Sequence, residues 1–152
     1  METIKVIILV SQFNIEESVG FLIAKAYQRL FSCFRSGLEP YGITPQQFAL
    51  MAFLWRQDGL SQADLSEKTE VDRTTLSGLI DRLQKLQLVE RCRHPADRRI
   101  WLVRLTPAGR ALEEKLVPVA LQVRERLTAN LEDSDYRTLC ELLKKLRDVH
   151  NE

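Results

Sequence analysis

The chain has 152 residues, with 22 Lys and Arg against 21 Asp and Glu and 45% hydrophobic side chains. That is the composition of one globular domain with room for a core that needs neither disulfide nor metal. A net charge of +1 excludes a uniformly basic histone-like protein and a strongly acidic tail, and as a total it gives no sign of nucleic acid.

The apolar run at residues 4–10 is interrupted by Lys5, is too short to cross a membrane and lacks a small-residue cleavage site. Residues 1–14 are therefore read as a lead or an arm, and residues 15–152 as a single domain. Asn14 and Glu17 have capping-box spacing, and Val19, Leu22, Ile23, Ala26, Tyr27, Leu30, Phe31 and Phe34 recur at intervals of three and four, predicting a long amphipathic helix that ends near Gly37. Pro45 behind Thr44 opens a second helix with Phe48, Met51, Ala52 and Trp55 on its apolar side, stopping before Gly59. Ser61 with Asp64 caps a short third helix over Leu65, and Asp72 caps a fourth that runs to about Gln87.

From Leu88 the pattern becomes extended. Residues 88–93 and 100–105 read as strands around a turn at 94–97, which makes a hairpin. Thr106-Pro107 opens a fifth helix with Leu112, Leu116, Val119, Val123 and Leu127 on its stripe and a kink expected at Pro118. Ser134 is expected to cap a sixth helix, striped by Leu139, Leu142, Leu143, Leu146 and Val149. The fold class is mainly α with a small β-hairpin wing.

Charge is unevenly placed along this order. Residues 1–60 are neutral, residues 61–110 carry +3 and residues 111–152 carry −2. Within the middle, Arg82, Lys85, Arg91, Arg93, Arg98, Arg99, Arg104 and Arg110 face only Glu90 and Asp97, a local excess of +6. Two helices joined by a short turn and followed by a basic hairpin are the order of a winged helix-turn-helix, whose second helix enters the major groove. At 100° per residue, Leu76, Leu79, Ile80, Leu83 and Leu86 of the fourth helix share one face. Opposite lie Thr74, Gly78, Asp81 and Lys85, flanked by Arg73, Thr75, Ser77 and Arg82. This outward face is small, hydroxylic and basic, which suits phosphates and base edges. Asp81 is out of place there unless it pairs with Lys85 four residues on or accepts from a cytosine N4. At the wing tip, Arg93, Arg98 and Arg99 are long enough to reach into a minor groove.

The stretches LSQADLS at 60–66, VDRTTLS at 71–77 and LQKLQLVER at 83–91, with Asp97-Arg98-Arg99 and Leu105-Thr106-Pro107-Ala108-Gly109, resemble the MarR family (multiple antibiotic resistance regulators) over residues 15–150. The resemblance implies a winged helix-turn-helix regulator, usually a repressor, that is an obligate homodimer through its first, fifth and sixth helices (15–40 and 107–152) and binds DNA through 44–106. It places Arg73, Thr74, Thr75 and Ser77 on the recognition helix, makes Arg99 the minor-groove arginine with Asp97 as its positioning partner, and offers Arg98 as a second arginine at the tip. Glu70 and Gln87 stand where the family commonly has Gly, so a left-handed backbone at either would carry strain. Twofold symmetry implies a pseudo-palindromic operator in double-stranded DNA.

The family also often responds to small aromatic acids or phenols bound between the dimer helices and the DNA-binding lobe. Tyr27, Phe31, Phe48, Met51 and Trp55 are the candidate pocket residues, although aromatic and Met side chains at helical spacing are commonly core. The cysteine that senses peroxide in one branch has no counterpart, because Phe21, Leu22 and Ile23 occupy the start of the first helix. Cys33 and Cys140 read as small buried residues. Cys92, flanked by Arg91, Arg93 and His94, keeps a redox-sensing regulator as an alternative, beside a winged-helix module for protein contacts. Three cysteines without C-x-x-C spacing suggest a reducing cytoplasm. With only His94 and His150 as imidazoles, no metal or cofactor is expected, and no catalytic motif is present, so the chain is not read as an enzyme.

Overall fold

The computed structural model describes residues 14–149, so the apolar run at 4–10 and His150 lie outside the described residues. Helix α1, Val19–Leu38, is capped by Ser18, whose Oγ accepts the Phe21 N–H at 3.4 Å. Asn14 was the expected cap. It instead closes a single 3-10 turn, Ile15–Glu17, accepting the Glu16 N–H at 3.0 Å, because the extended backbone of Ser18 (φ −71°, ψ 140°) resets the chain before the helix proper. Helix α2, Pro45–Arg56, starts with a reciprocal box between Thr44 and the buried Gln47. Helix α3, Gln62–Thr69, starts with the same device between Ser61 and Asp64, and in α4, Arg73–Lys85, Asp72 accepts the Thr75 N–H at 2.9 Å.

The predicted fifth helix is α5, Pro107–Ala111, followed by α6, Glu113–Thr128. Leu112 alone separates them and keeps right-handed dihedrals (φ −70°, ψ −23°), so the expected fifth helix forms as two segments of one right-handed run. Helix α6 continues through Pro118, where a kink was expected. Pro118 is exposed, so the carbonyl it leaves without an amide partner can turn to water. Helix α7, Asp133–Arg147, begins two residues earlier than a Ser134 cap would allow. The extended residue is Glu132 (φ −75°, ψ 160°), and the Asp135 carboxylate accepts its N–H at 3.3 Å.

The wing strands are β2, Val89–Arg93, and β3, Trp101–Leu105, antiparallel with Val89 opposite Leu105 and Arg93 opposite Trp101. A third strand, β1, Leu60–Ser61, adds to the far edge of β3 in the order β1-β3-β2. Two residues are too few to show strand periodicity, so nothing in the residue pattern announces it. Leu38, Leu50, Met51, Leu54, Leu65, Leu76, Ile80, Leu83, Val103 and Leu116 form the fully buried centre, drawn from α1 to α4, β3 and α6. By contrast, Leu22, Ile23 and Leu30 of α1, Leu121 of α6 and Leu139, Leu142, Leu143 and Leu146 of α7 are exposed. The stripe expected on the fifth helix is covered, with Leu116 and Val123 buried and Val117 and Leu121 exposed beside it, whereas the stripes expected on α1 and α7 are left largely uncovered by the described chain. Cys33 and Cys140 share this situation: both were expected to be buried, and both are half-exposed on helices with an uncovered face. No described helix is long and apolar enough to cross a membrane.

Among the described residues two that are not glycine adopt left-handed backbone, Glu70 (φ 55°) after α3 and Gln87 (φ 58°) after α4. These are the two positions flagged from the sequence. The left-handed conformation costs an L-residue about 1–2 kcal/mol, and glycine returns part of that through the entropy of the unfolded chain. Gln87→Gly is expected to raise the unfolding free energy by about 0.5–1 kcal/mol. Urea denaturation at fixed protomer concentration checks this, and a loss of stability would mean that the Gln87 side chain holds the turn.

Candidate nucleic-acid interface

Helix α4 owes its orientation to Leu76, Leu79, Ile80 and Leu83, which are buried against the core. Arg73, Thr74, Thr75, Arg82 and Lys85 are consequently exposed, with Ser77 and Gly78 half-buried beside them. A Cβ at Gly78 would meet nothing within 4 Å, so this side of the helix is open. Leu86 departs from expectation. It lies beyond the last helical residue, at the C-cap, and is exposed rather than part of the buried stripe. Hydrogen bonds from Thr75 hold the Asp72 carboxyl below the usual carboxylate range. The cap is therefore ionised at neutral pH, and its contribution is lost only as pH falls through that lowered value.

Asp81 finds its cation on the wing. Arg91 of β2 reaches back to α4, with Nη1 2.6 Å from Asp81 Oδ1 and also bonded to Gln84 Oε1, while Nη2 lies 3.4 Å from both the carbonyl and the hydroxyl of Ser77. Its side chain is only 19% exposed. Arg91 is a clasp between recognition helix and wing, and it engages Ser77, one of the residues assigned to the DNA face. The sequence placed Arg91 among the free wing charges. Strand alternation was the available signal, because Val89 points inward and Arg91 follows two residues later. Arg91→Ala should lower stability by about 1–3 kcal/mol and leave Asp81 unneutralised on the outward face. DNA affinity should fall while the salt slope stays unchanged, whereas removing a phosphate contact reduces that slope by about 1. Binding titrations at several salt concentrations separate the two.

The wing tip is organised by its own side chains. Arg93 stacks on Trp101 with the guanidinium carbon 3.7 Å from the ring centroid, and its Nη1 donates to the Arg98 carbonyl at 2.7 Å. Asp97 accepts the Arg99 N–H at 3.0 Å and both Nε and Nη2 at 3.1 Å, a bidentate pair. Those bonds hold the Asp97 carboxyl below its usual range. The Arg99 side chain nevertheless remains 90% exposed, so its direction is fixed while its outer edge stays open. Arg98 is exposed next to it, and Arg104 is exposed farther along β3, near Gly59. Arg110, counted in the same basic excess, pairs with Asp58 at 2.6 Å, and Asp58 also accepts the Leu105 N–H at 2.9 Å. Arg91, Arg93 and Arg110 thus work within the fold, which leaves a smaller outward charge than the sequence window counts.

Behind the wing, the Leu-Thr-Pro-Ala-Gly segment has a structural task. Thr106 Oγ1 donates to the Gln87 carbonyl at 2.7 Å and accepts the Gly109 N–H at 3.0 Å, and the Thr106 N–H donates to the Leu88 carbonyl at 3.1 Å. The Gly109 carbonyl accepts from Trp55 Nε1 at 2.9 Å. These bonds fasten α5 to the end of the recognition helix.

A cavity of about 600 Å³ opens between α1 and the DNA-binding lobe. Tyr27, Leu30, Phe31 and Phe34 of α1 form one wall, Ala49 and Phe53 of α2 another, and residues 68–71 of the helix-turn-helix turn a third. Lys68 and Arg147 bring cations, and Glu70 a carboxylate, to walls that are otherwise mainly apolar, and Arg147 is paired with Asp148 at 2.8 Å. Tyr27 and Phe31 stand where the sequence placed pocket residues. Phe48, Met51 and Trp55 do not line the cavity: Met51 is fully buried, and Phe48 packs edge-on between Phe34 and Trp55 with ring centroids 4.9 and 5.7 Å away. Among the described residues no cluster of metal-ligating side chains occurs.

Residues 41–100 match the model of the MarR family. The chain is 34% identical over 136 residues to the HTH-type transcriptional repressor NicR of Pseudomonas putida, covering 90% of this chain and 86% of that one. Among solved structures, it is similar to BpsR of Bordetella bronchiseptica, described for the regulation of its DNA binding by 6-hydroxynicotinic acid (35% identity, TM-score 0.85, 91% of this chain and 99% of that one). It is also similar to a cysteine-to-serine mutant of MarR from Escherichia coli complexed with operator DNA (29% identity, TM-score 0.81, 88% and 99%). With this likeness along nearly its whole length, and with the helix pair, the clasped wing and the Asp97–Arg99 tip all in place, the chain belongs to the MarR family of transcriptional regulators.

Proposed function

We propose that this protein is a homodimeric repressor that binds a pseudo-palindromic operator in double-stranded DNA and releases it when a small aromatic acid enters the cavity beside α1. The observation that carries the DNA-binding reading is the pairing of an open recognition-helix face (Arg73, Thr74, Thr75, Ser77, Arg82, Lys85) with an arginine, Arg99, aimed outward by Asp97. One presents hydroxyls and cations to a major groove, and the other a guanidinium to the adjacent minor groove. Arg98 adds a second cation at the tip. The names of NicR as a repressor and of MarR complexed with operator DNA support the same reading.

The dimer reading rests on the uncovered leucines of α1, α6 and α7, a surface too apolar to leave in water. Two symmetry-related recognition helices then meet successive major grooves about one helical turn apart. For the effector, aromatic and aliphatic walls with Lys68 at hand suit a flat ring bearing a carboxylate, and 6-hydroxynicotinic acid, which regulates DNA binding by BpsR, is such an acid. The apolar walls bind the ring and a cation fixes its orientation.

Selection of bound duplexes from a random pool tests the central claim. The expected result is enrichment of a pseudo-palindrome with half-sites about 10 base pairs apart, released by 6-hydroxynicotinate or a related aromatic acid and weakened steeply by salt. A pool that never enriches would remove the DNA-binding reading, and a stable monomer at micromolar concentration would remove the palindrome.

A further inference from the structure

The wing turn contains an imidazole that none of the foregoing uses. His94 follows the last residue of β2, and its Nδ1 lies 3.1 Å from the Ala96 backbone nitrogen and 3.2 Å from that of Asp97. Around it the turn is closed by backbone bonds, from the His94 N–H to the Ile100 carbonyl at 2.9 Å and from the Ile100 N–H to the Asp97 carbonyl at 3.0 Å. Two amide hydrogens converging on one ring atom require a lone pair there. A ring carbon or an N–H offers none, so Nδ1 is bare and the proton sits on Nε2. Asparagine and aspartate side chains accept backbone amides in this way in Asx turns. Histidine does the same here, with the difference that protonation of the imidazole at this nitrogen removes the acceptor.

What the imidazole holds is the base of the DNA-reading tip. Its second amide partner is Asp97, and the Asp97 carboxylate in turn fixes Arg99 through three hydrogen bonds. The other charges at this tip are the guanidinium of Arg93, occupied by Trp101 and the Arg98 carbonyl, and the exposed Arg98 and Arg99; the start of β3 contributes Trp101, which has no charge. Asp97 is the acidic group next to the ring, and the two are near enough to interact electrostatically. Protonation therefore does two things. It replaces the acceptor with a donor facing two amide hydrogens, and it gives Asp97 a second cation in competition with Arg99.

We propose that His94 is a positioning residue for Arg99 and makes the wing's hold on DNA pH-dependent: the neutral imidazole caps the turn and keeps Arg99 aimed, and protonation releases it. The proposal rests on the reading that the wing binds DNA. Its sign is informative. A protonated imidazole acting only as an added charge would strengthen attraction to phosphates, whereas loss of the turn weakens binding.

The first test needs no DNA. Nitrogen-15 NMR of the full-length protein should find the Nε2–H tautomer of His94 at about pH 8, with the Ala96 and Asp97 amide signals shifting in step with the imidazole as it protonates. An Nδ1–H tautomer, or amides that do not respond, would overturn the cap. The second test measures affinity at fixed salt for the duplex recovered by random selection, at about pH 8 and about pH 5.5. His94→Asn places an oxygen where Nδ1 stands and does not titrate, so it should bind like the wild type at the higher pH and keep that affinity at the lower. The wild type should lose about tenfold on acidification, and His94→Ala should be weaker by about tenfold at both. Wild type and His94→Asn moving together, or wild-type binding tightening in acid, would refute the proposal. If selection recovers no duplex, the DNA-binding reading fails, and NMR still decides whether the imidazole caps the turn.

Discussion

Replacing Gly109 with alanine is expected to cost about 4 kcal/mol or more of folding free energy, a large fraction of the roughly 5–15 kcal/mol that holds an ordinary domain folded. A Cβ at this position would fall below 3.0 Å from the Leu88 carbonyl oxygen, with the carbonyl carbon at 3.0 Å and a Leu105 methyl at 3.3 Å. Neither backbone can retreat. The Leu88 carbonyl accepts the Thr106 N–H, and Gly109 is held by its N–H on Thr106 and its carbonyl on Trp55. Relief would require breaking the junction between recognition helix and α5, which also pins the strained Gln87 through Thr106. The constraint is one of space, since the position does not call for a positive φ. Chemical denaturation at fixed protomer concentration measures the loss, the concentration mattering because dimer stability depends on it. A variant within about 1 kcal/mol of the wild type would show that the junction is soft.

Arg99→Ala should weaken binding to the selected operator by roughly tenfold to a hundredfold at matched salt, the range for loss of one groove-reading arginine. Folding should be little affected, because the side chain is exposed and touches only Asp97. Lysine is a poor replacement. Asp97 engages Nε and Nη2 together, and an ammonium has no such fork with which to take the same direction. Asp97→Asn should give a smaller loss, since an amide oxygen still accepts from Arg99 but without the charge. An Arg99→Ala variant with unchanged operator affinity would take the wing tip out of the mechanism.

The helices, their caps and the face of α4 were legible because each is written in residues a few positions apart. Ser61 and Asp64, Thr44 with Pro45 behind it, and Asp72 announce helix starts by spacing alone, and the leucines of α4 set its outward face by a 100° repeat. Glu70 and Gln87 could be flagged as strained only through the family resemblance, because they stand where the family commonly has Gly. Where several residues compete for one local role, the same signals misled by a few positions: Ser18 displaced Asn14 as the cap of α1, and Glu132 displaced Ser134 at α7.

Everything that depends on a distant partner was settled only by the tertiary structure. A sum of charges along residues 82–110 cannot know that Arg91 will meet Asp81 from the preceding helix or that Arg110 will meet Asp58 from beyond β1. Periodicity names Phe48, Met51, Trp55, Tyr27 and Phe31 alike as apolar, yet only the crossing of α1 over the helix-turn-helix turn sorts core from cavity wall. The sequence by itself determined the elements, the outward face of α4 and which arginines lie on the wing, because backbone propensity and side-chain period act over one or two turns. The fold decided which of those arginines are spent on holding the molecule together and which point outward, because pairing energy depends on distance in space and not along the chain.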